Sequence, residues 1–239
     1  MLYLTKEELY RRIDECRKEL YSKGVTEPLT IEKICSVSPD IDISYIPFKT
    51  AGLRGMVQLA TPDEPLNCIL VNSNISETER NFHAMHEFMH IYLHSNTDCQ
   101  TFKCYDKVRE NQNSSLEWQA NESSAEILMP YRKFVPLFSA LYDIYQDKEL
   151  WDILYEEFDS IEEYLAQKYY VSSMAAENRI SGLSYEIDQY RDGIPVEQIT
   201  LMSYSKRNEL GINSTDYVKI IKQLNCQYSF ELDWDAVIS

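Results

Sequence analysis

The chain has 239 residues, which is long enough for a well-buried core in one or two domains. It carries 23 Lys and Arg residues against 39 Asp and Glu residues, a formal net charge of -16, and this surplus disfavours unaided nucleic-acid binding because phosphate backbones repel an acidic surface. The N-terminus shows no basic region followed by an apolar run, and no segment approaches the length of a membrane span. We therefore expect a cytoplasmic protein that does not bind membranes and whose six cysteines are reduced.

The first part of the chain predicts two helices followed by a small sheet. Thr5 and Glu8 form a capping box that begins a helix, Gly24 ends it, and a shorter helix follows Thr30. Short apolar and alternating runs then predict three strands, over residues 41–45, 53–59 and 68–71. Gly52 precedes the second of these and Gly55 lies within it. It is either an edge strand that pairs with an extended peptide, whose close approach the two glycines would permit, or an ordinary strand with a bulge.

A second capping box, Ser76 with Glu79, begins a helix that reaches about Ser95. Two stripes of side chains recur on this helix at helical spacing. One stripe is apolar and should face the core: Phe82, Met85, Met89 and Tyr92. The neighbouring stripe holds all four histidines of the chain: His83, His86, His90 and His94. The histidines are therefore expected at the border of the core.

The segment His86-Glu87-Phe88-Met89-His90 is an H-E-x-x-H motif. Residues four apart project from the same side of a helix, so both imidazoles can reach one zinc ion. Glu87 then points toward the water that attacks a substrate carbonyl, and it is the predicted catalytic base and acid. The alternative is a helix whose histidines are solvated and hold no metal.

A catalytic zinc ion needs a third protein ligand, and the helix predicted over residues 114–130 offers Glu117. Asn121 lies one turn further on the same face, where its side chain can accept a hydrogen bond from the outer nitrogen of a ligand histidine. Alternatively, Glu117 is a first-turn glutamate that the helix dipole favours. Two further carboxylates of this helix are spaced so that they lie on other faces: Glu122 and Glu126.

The rest of the chain is predicted to be mostly helical. A polar stretch, residues 96–113, predicts no element, and the spacing of its two cysteines, Cys99 and Cys104, matches no strong metal-binding pattern. The segment 160–181 has helix-turn-helix proportions, but it contains few basic residues, so we interpret it as packing. The other predicted elements are helices over 136–158 and 214–224 and strand-like runs over 199–204 and 227–232.

In combination these segments resemble the ImmA/IrrE-type metallopeptidases of bacteria, phages and mobile elements. The resemblance rests on residues 80–94, on 117–121 leading into 127–130, and on 165–172 with Arg179, and it covers about residues 30–183. It implies a compact zincin-like α+β core and a protein substrate, because the members that act as proteases cleave helix-turn-helix repressors. The sequence departs from the usual family pattern at Gln119, where a second acidic residue is common.

The same resemblance implies roles for individual residues. It makes His86, His90 and Glu117 the zinc ligands and Glu87 the catalytic residue. His94 matches a position that is often histidine in the family, where we expect it to support a ligand by hydrogen bonding instead of binding the metal. The donor to the oxyanion of the tetrahedral intermediate stays open among four side chains: Tyr92, Tyr131, Arg179 and His83, the last of which is otherwise an exposed surface histidine.

These observations predict an α+β protein with a zincin-like core and a helical C-terminal extension. Residues 1–130 form the predicted core, 131–183 a helical subdomain and 184–239 an extension of unknown role. The predicted function is zinc-dependent endoproteolysis of an intracellular protein, in particular a helix-turn-helix repressor of a mobile element or stress response. The alternative is a zinc-binding regulatory protein that does not cut peptides. The oligomeric state is not predicted.

Overall fold

The computed structural model describes residues 4–107, 109 and 112–226. Both predicted capping boxes are present, each with its two reciprocal hydrogen bonds, and they begin the two longest helices, α1 (Lys6–Ser22) and α3 (Glu77–His94). Between these helices lie α2 (Ile31–Cys35), β1 (Ile41–Ile46), β2 (Leu53–Gln58) and β3 (Asn67–Asn72). The elements predicted for the first part of the chain are therefore confirmed in type and order.

A fourth strand, β4 (Thr101–Tyr105), lies in the segment for which the sequence predicted no element, and that prediction was wrong. The strands are ordered β1-β3-β2-β4, with β1 parallel to β3 and the other neighbours antiparallel. Of the two interpretations of β2, the edge strand is wrong, because β4 pairs along its free side. A register shift between Leu53 and Gly55 marks an irregularity in that pairing.

Helix α3 lies on this sheet next to α4 (Ser114–Leu128). Small buried residues let the two helices approach each other: Ala120, Ser123 and Ser124 are on α4 and Ala84 is on α3. On the sheet below, the alternating burial of β2 and β3 places Val57, Ile69 and Val71 in the core. This packing fixes α3 between a sheet and a helix, so its side chains have rigid neighbours.

The chain divides into two compact units, and the first consists of Met1–Leu128 together with Lys168–Ser172. Asn81 of α3 connects the distant parts of this unit. Its side-chain amide donates hydrogen bonds to the carbonyls of Leu29 (3.1 Å) and Tyr170 (3.3 Å), and its Oδ1 accepts one from the N–H of Ile31 (3.1 Å). Tyr170 has a φ of 55°, a backbone conformation that residues other than glycine seldom adopt.

The second unit, Met129–Gln167 with Ser173–Ser239, consists of helices joined by turns and irregular segments where it is described. Aromatic rings fill part of its interior, with Tyr217 packed edge-on against Phe138 and Tyr142 at centroid distances of 5.4 and 5.1 Å. Its elements include α5 (Tyr131–Tyr145), α6 (Lys148–Leu154), α8 (Ser173–Gly182), α9 (Ser184–Arg191) and α10 (Tyr204–Glu209), while α7 (Ile161–Tyr169) ends in the first unit. Residues 217–226 are also helical.

Several predictions for this half need correction. The strand-like run over 199–204 is irregular and leads into α10, because backbone groups of Thr200 and Met202 bond to the side chains of Gln189 and Glu186 on α9 instead of to a strand. The helix predicted over 136–158 begins earlier, with Pro136 inside α5, and is interrupted before α6. The run over 227–232 lies outside the described residues. The three-part domain division stays a prediction, and within the described residues no helix is both long and apolar enough to cross a bilayer.

Candidate metal centre

Three polar side chains converge in the interior of the first unit, where α3 faces α4. His86 and His90 come from successive turns of α3, and Glu117 comes from the first turn of α4. The histidines are fully buried and Glu117 is 5% exposed. Burying polar groups costs free energy unless partners replace the lost water, so these side chains need partners in their surroundings.

The donor atoms of these residues have the spacing of a metal site. The Nε2 atoms of His86 and His90 are 3.1 Å apart, and the Glu117 carboxylate lies 3.3 Å from the first and 3.8 Å from the second. Three donors placed 2.0–2.1 Å from one tetrahedral ion would be about 3.3–3.4 Å apart. The distances observed here bracket that value, so the residues fit a zinc ion.

Asn121 fixes the protonation of His86. Its Oδ1 lies 2.9 Å from Nδ1 of His86, and an amide oxygen can only accept a hydrogen bond. Nδ1 of His86 therefore carries the proton, and Nε2 presents a lone pair toward Glu117. This is the contact predicted for Asn121, which lies one turn after Glu117 on α4.

A longer chain of hydrogen bonds fixes His90. Nε2 of His94 lies 3.3 Å from Oε1 of Gln119, which can only accept, so His94 donates from Nε2 and keeps a lone pair on Nδ1. That nitrogen is 2.9 Å from Nδ1 of His90, which must then be the donor. Burial lowers the pKa of both His90 and His94, which favours these neutral forms. Nε2 of His90 therefore also carries a lone pair.

With both rings neutral in these tautomers, two imidazole lone pairs and the Glu117 carboxylate face one another. Such an arrangement repels unless a cation lies at its centre. The ring of Phe102 on β4 stacks on His90 at a centroid distance of 4.1 Å and an angle of 15°, which holds that ring in its orientation. The chemistry of the donors and their tautomers thus points to a divalent cation with two nitrogen ligands and one oxygen ligand.

Glu87 lies beside this group and is fully buried. Among the described residues, neither of its carboxylate oxygens has a hydrogen-bond partner. Burial and the nearby Glu117 raise its pKa well above the ordinary value; the backbone N–H of Cys104 faces it and opposes this shift without reaching hydrogen-bond geometry. A buried carboxylate with unused oxygens is suited to exchange protons with a reactant.

Gly55 makes room for Glu87. A Cβ atom at Gly55 would lie 2.7 Å from Oε1 of Glu87, which is closer than real Cβ contacts allow, and 3.2 Å from its Cγ, which is tighter than most. The glycine is thus needed for the approach of this side chain to β2. It was predicted to permit close approach of a substrate peptide, but the group that approaches it is Glu87.

Two residues of β4 that the sequence did not assign to the centre also line it, Phe102 and Cys104. Cys104 on β4 is buried near Glu87, and its Sγ lies 3.4 Å from Nδ1 of His83. His83 is half-buried, and desolvation lowers its pKa to about 4, so it is neutral and is not an exposed surface histidine. The alternation of Phe102 and Cys104 with polar neighbours was the signal that could have revealed this wall of the site.

The remaining candidates serve other contacts. The hydroxyl of Tyr92 donates to the carbonyl of Arg12 (3.2 Å), and Arg179 donates from Nε to the carbonyl of Met129 (3.0 Å) in the second unit. Tyr131 is buried in that unit, beneath the guanidinium of Arg132. The two competing carboxylates of α4 were predicted to lie on other faces, and they contact α1: Glu122 accepts from Tyr10, and Glu126 lies 4.0 Å from Arg17.

Comparison with known proteins gives a family and similar solved structures. No match was found among curated proteins. A Mycobacterium tuberculosis transcriptional regulator is similar at 13% identity with a TM-score of 0.42, over 72% of this chain and 46% of that one, so the chain spans less than half of its length. The model of the IrrE N-terminal-like domain, a peptidase family, matches residues 38–181, which is more than half of the sequence. The chain therefore belongs to the ImmA/IrrE-type family of peptidases.

Proposed function

We propose that this protein is a zinc-dependent endopeptidase with a zincin-like core, in which His86, His90 and Glu117 hold the metal. The proposal rests mainly on one observation. Two imidazole lone pairs and one carboxylate converge within 3.1–3.8 Å in the protein interior. Three protein ligands leave the fourth tetrahedral position for solvent or substrate, which distinguishes a catalytic from a structural zinc site.

Glu87 is the proposed general base and acid. When bound, zinc supplies Lewis-acid chemistry: it polarises the scissile carbonyl and makes water a stronger acid. Glu87 accepts a proton from the attacking water and then delivers it to the leaving amine. Its lack of hydrogen-bond partners among the described residues leaves both oxygens available for this exchange. A zinc protein that only regulates would have no need of this buried carboxylate, so its presence favours the peptidase.

Strand β4 is the proposed place for the substrate backbone. It is the outer strand next to β2 among those described, and Phe102 and Cys104 on it line the metal centre. An extended peptide that pairs with such a strand places its carbonyls along one edge of the site. The side chain of Gln112 already donates to the carbonyl of Lys103 (2.5 Å), so a peptide would have to replace this hydrogen bond.

We further propose that the substrate is an intracellular protein in the cytoplasm, specifically a helix-turn-helix repressor. The support is the family resemblance, because family members that act as proteases cleave such repressors. The formal charge of -16 agrees with a protein that acts on a regulator instead of binding DNA itself. Free thiols at all six cysteines agree with a reducing compartment.

The test is co-expression with repressors encoded beside its gene, followed by intact-mass analysis of the repressor and zinc measurement on the purified protein. We expect wild-type protein to cleave one repressor at a defined bond, and the Glu87→Gln variant to retain zinc while cleavage falls by about 10²–10⁴-fold. Glu122→Gln is the matched control, because that glutamate contacts α1. Cleavage by the Glu87→Gln variant at the wild-type rate would refute the mechanism.

A further inference from the structure

A second set of metal donors lies beside the first. A ring nitrogen of His86, a carboxylate oxygen of Glu87 and Sγ of Cys104 are all within 4.8 Å of one another, and all three side chains are buried. The set is built by the fold: Gly55 pairs with Cys104 across β2 and β4, and its missing side chain is what admits Glu87.

The cysteine is not the only observation that points to a ligand here. Both oxygens of Glu87 are buried and have no hydrogen-bond partner among the described residues. They are part of the same group as the thiol and the imidazole. A cation bound between them would partner the carboxylate and the thiolate at once.

The donor types select the class of ion. Thiolate, imidazole and carboxylate together suit zinc and softer ions of the same charge, such as cadmium. A thiol loses its proton on coordination, so Cys104 and Glu87 would supply two negative charges and neutralise a divalent ion completely. The set with Glu117 supplies one such charge. A divalent ion therefore keeps one uncompensated positive charge in the set with Glu117 and none in the set with Cys104. An uncompensated charge is costly in a buried site, which favours the sulfur-containing set for a thiophilic ion.

We infer that His86, Glu87 and Cys104 form a second position for a thiophilic divalent cation, which excludes occupation of the first. The exclusion follows from His86, which belongs to both sets. Its Nδ1 is engaged with Asn121, so only Nε2 is available, and one nitrogen lone pair binds one ion. This inference rests on the proposed function for its consequence: an ion in the second position engages Glu87 and would inhibit peptide cleavage.

The position is tested with cobalt(II), since a thiolate ligand gives cobalt a near-ultraviolet charge-transfer band that nitrogen and oxygen ligands do not. We would add cobalt(II) to the metal-free Glu117→Gln variant, in which the first set is weakened. The band should appear and should be absent from the Glu117→Gln/Cys104→Ser protein. Cys99→Ser in the same background is the control, because Cys99 is exposed, and it should keep the band.

Calorimetry of cadmium binding to the same proteins measures how much Cys104 contributes to the affinity. Loss of a residue that only supports a ligand weakens metal binding by about 10–100-fold. Removing the ligand Cys104 should weaken cadmium binding by at least as much. A band that survives Cys104→Ser, or cobalt bound with no band, would overturn the inference. Should Glu117→Gln not fold, judged by its circular dichroism, His90→Gln weakens the first set from the other helix and takes its place.

The outcomes separate this inference from the proposed function. If zinc retention depends on Glu117 but no thiolate band appears, the second position does not exist and the peptidase site is unaffected. If the band depends on Cys104 while zinc retention is indifferent to Glu117, the proposed ligand set fails and the second position stands.

Discussion

The two sides of the metal centre are built in opposite ways. On the ligand side, the outer nitrogens of His86 and His90 are hydrogen-bonded, the first to Asn121 and the second to His94. On the side of Glu87, the carboxylate is equally buried but has no hydrogen-bond partner among the described residues. One side is fixed by hydrogen bonds, and the other is confined by packing without one.

This difference separates holding a metal from carrying out a reaction. Hydrogen bonds to the outer nitrogens set the tautomer and the ring orientation, which strengthens metal binding. A carboxylate that exchanges protons is better left without fixed donors, because donors would stabilise its charged form and weaken it as a base. Changes on the ligand side should therefore affect zinc content, and changes near Glu87 should affect turnover alone.

The largest effect is expected from Glu117→Ala. The variant loses the only carboxylate of the proposed ligand set, so zinc should be lost on dialysis, and cleavage of the repressor with it. Zinc content is measured by elemental analysis after dialysis. Glu122→Ala is the control on the same helix and should keep its zinc. Full zinc retention by Glu117→Ala would remove this residue from the ligand set.

On the other side, Gly55→Ala should lower turnover by about 100-fold, since small displacements of a catalytic group can cost that much. The added methyl group would lie 2.7 Å from Oε1 of Glu87, so the carboxylate must move. Zinc content and circular dichroism should stay unchanged. Combined with Glu87→Gln, the glycine substitution should cause no further loss; additive losses would show that Gly55 acts through another group.

Gln119→Ala addresses the far end of the hydrogen-bond chain on the ligand side. It removes the acceptor for Nε2 of His94, which releases the tautomer of His90, and zinc affinity should fall by about 10–100-fold. Gln119→Glu keeps an acceptor and should retain most of the affinity. Zinc competition with a chromophoric chelator measures both. Equal affinity in Gln119→Ala and wild type would mean that His94 positions His90 without this amide.

The smallest effect is expected from Ser76→Ala, which acts on neither side selectively. It removes the N-cap of α3 and should lower the free energy of unfolding by about 1 kcal/mol. Urea unfolding at saturating zinc measures the change. Zinc affinity and turnover in the folded variant should match wild type; a selective loss of either would show that the start of α3 shapes the centre directly.

The sequence was sufficient for the parts of the centre that depend on helical spacing. The separation of four between His86 and His90, and again between Glu117 and Asn121, determines which side chains share a helix face before any packing is known. The capping boxes at Thr5 and Ser76 located both long helices for the same reason, because a cap is a local interaction.

The parts that depend on pairing between distant segments were not predictable. Strand β4 is five residues long and lies in a polar stretch, so the alternation of Phe102 and Cys104 with polar neighbours is a short signal, and no local pattern reveals that its partner is β2. Without β4, the positions of Phe102 and Cys104 could not be predicted either. Gln119 was noticed only as a departure from a family pattern; its contact with His94 depends on how closely α3 and α4 pack.

The hydrogen bond from Asn81 to the carbonyl of Tyr170 has a practical consequence for dissecting the protein. A fragment ending near residue 130 would contain every proposed zinc ligand, yet it would lack the short return segment Lys168–Ser172 that belongs to the same compact unit. Its truncated interior would expose one amide hydrogen of Asn81 at the base of the helix that carries the histidines. Minimal versions of this protein should therefore be made by splicing that segment back after residue 128, because a chain that ends after residue 172 would keep Met129–Gln167 of the second unit without its partner Ser173–Ser239.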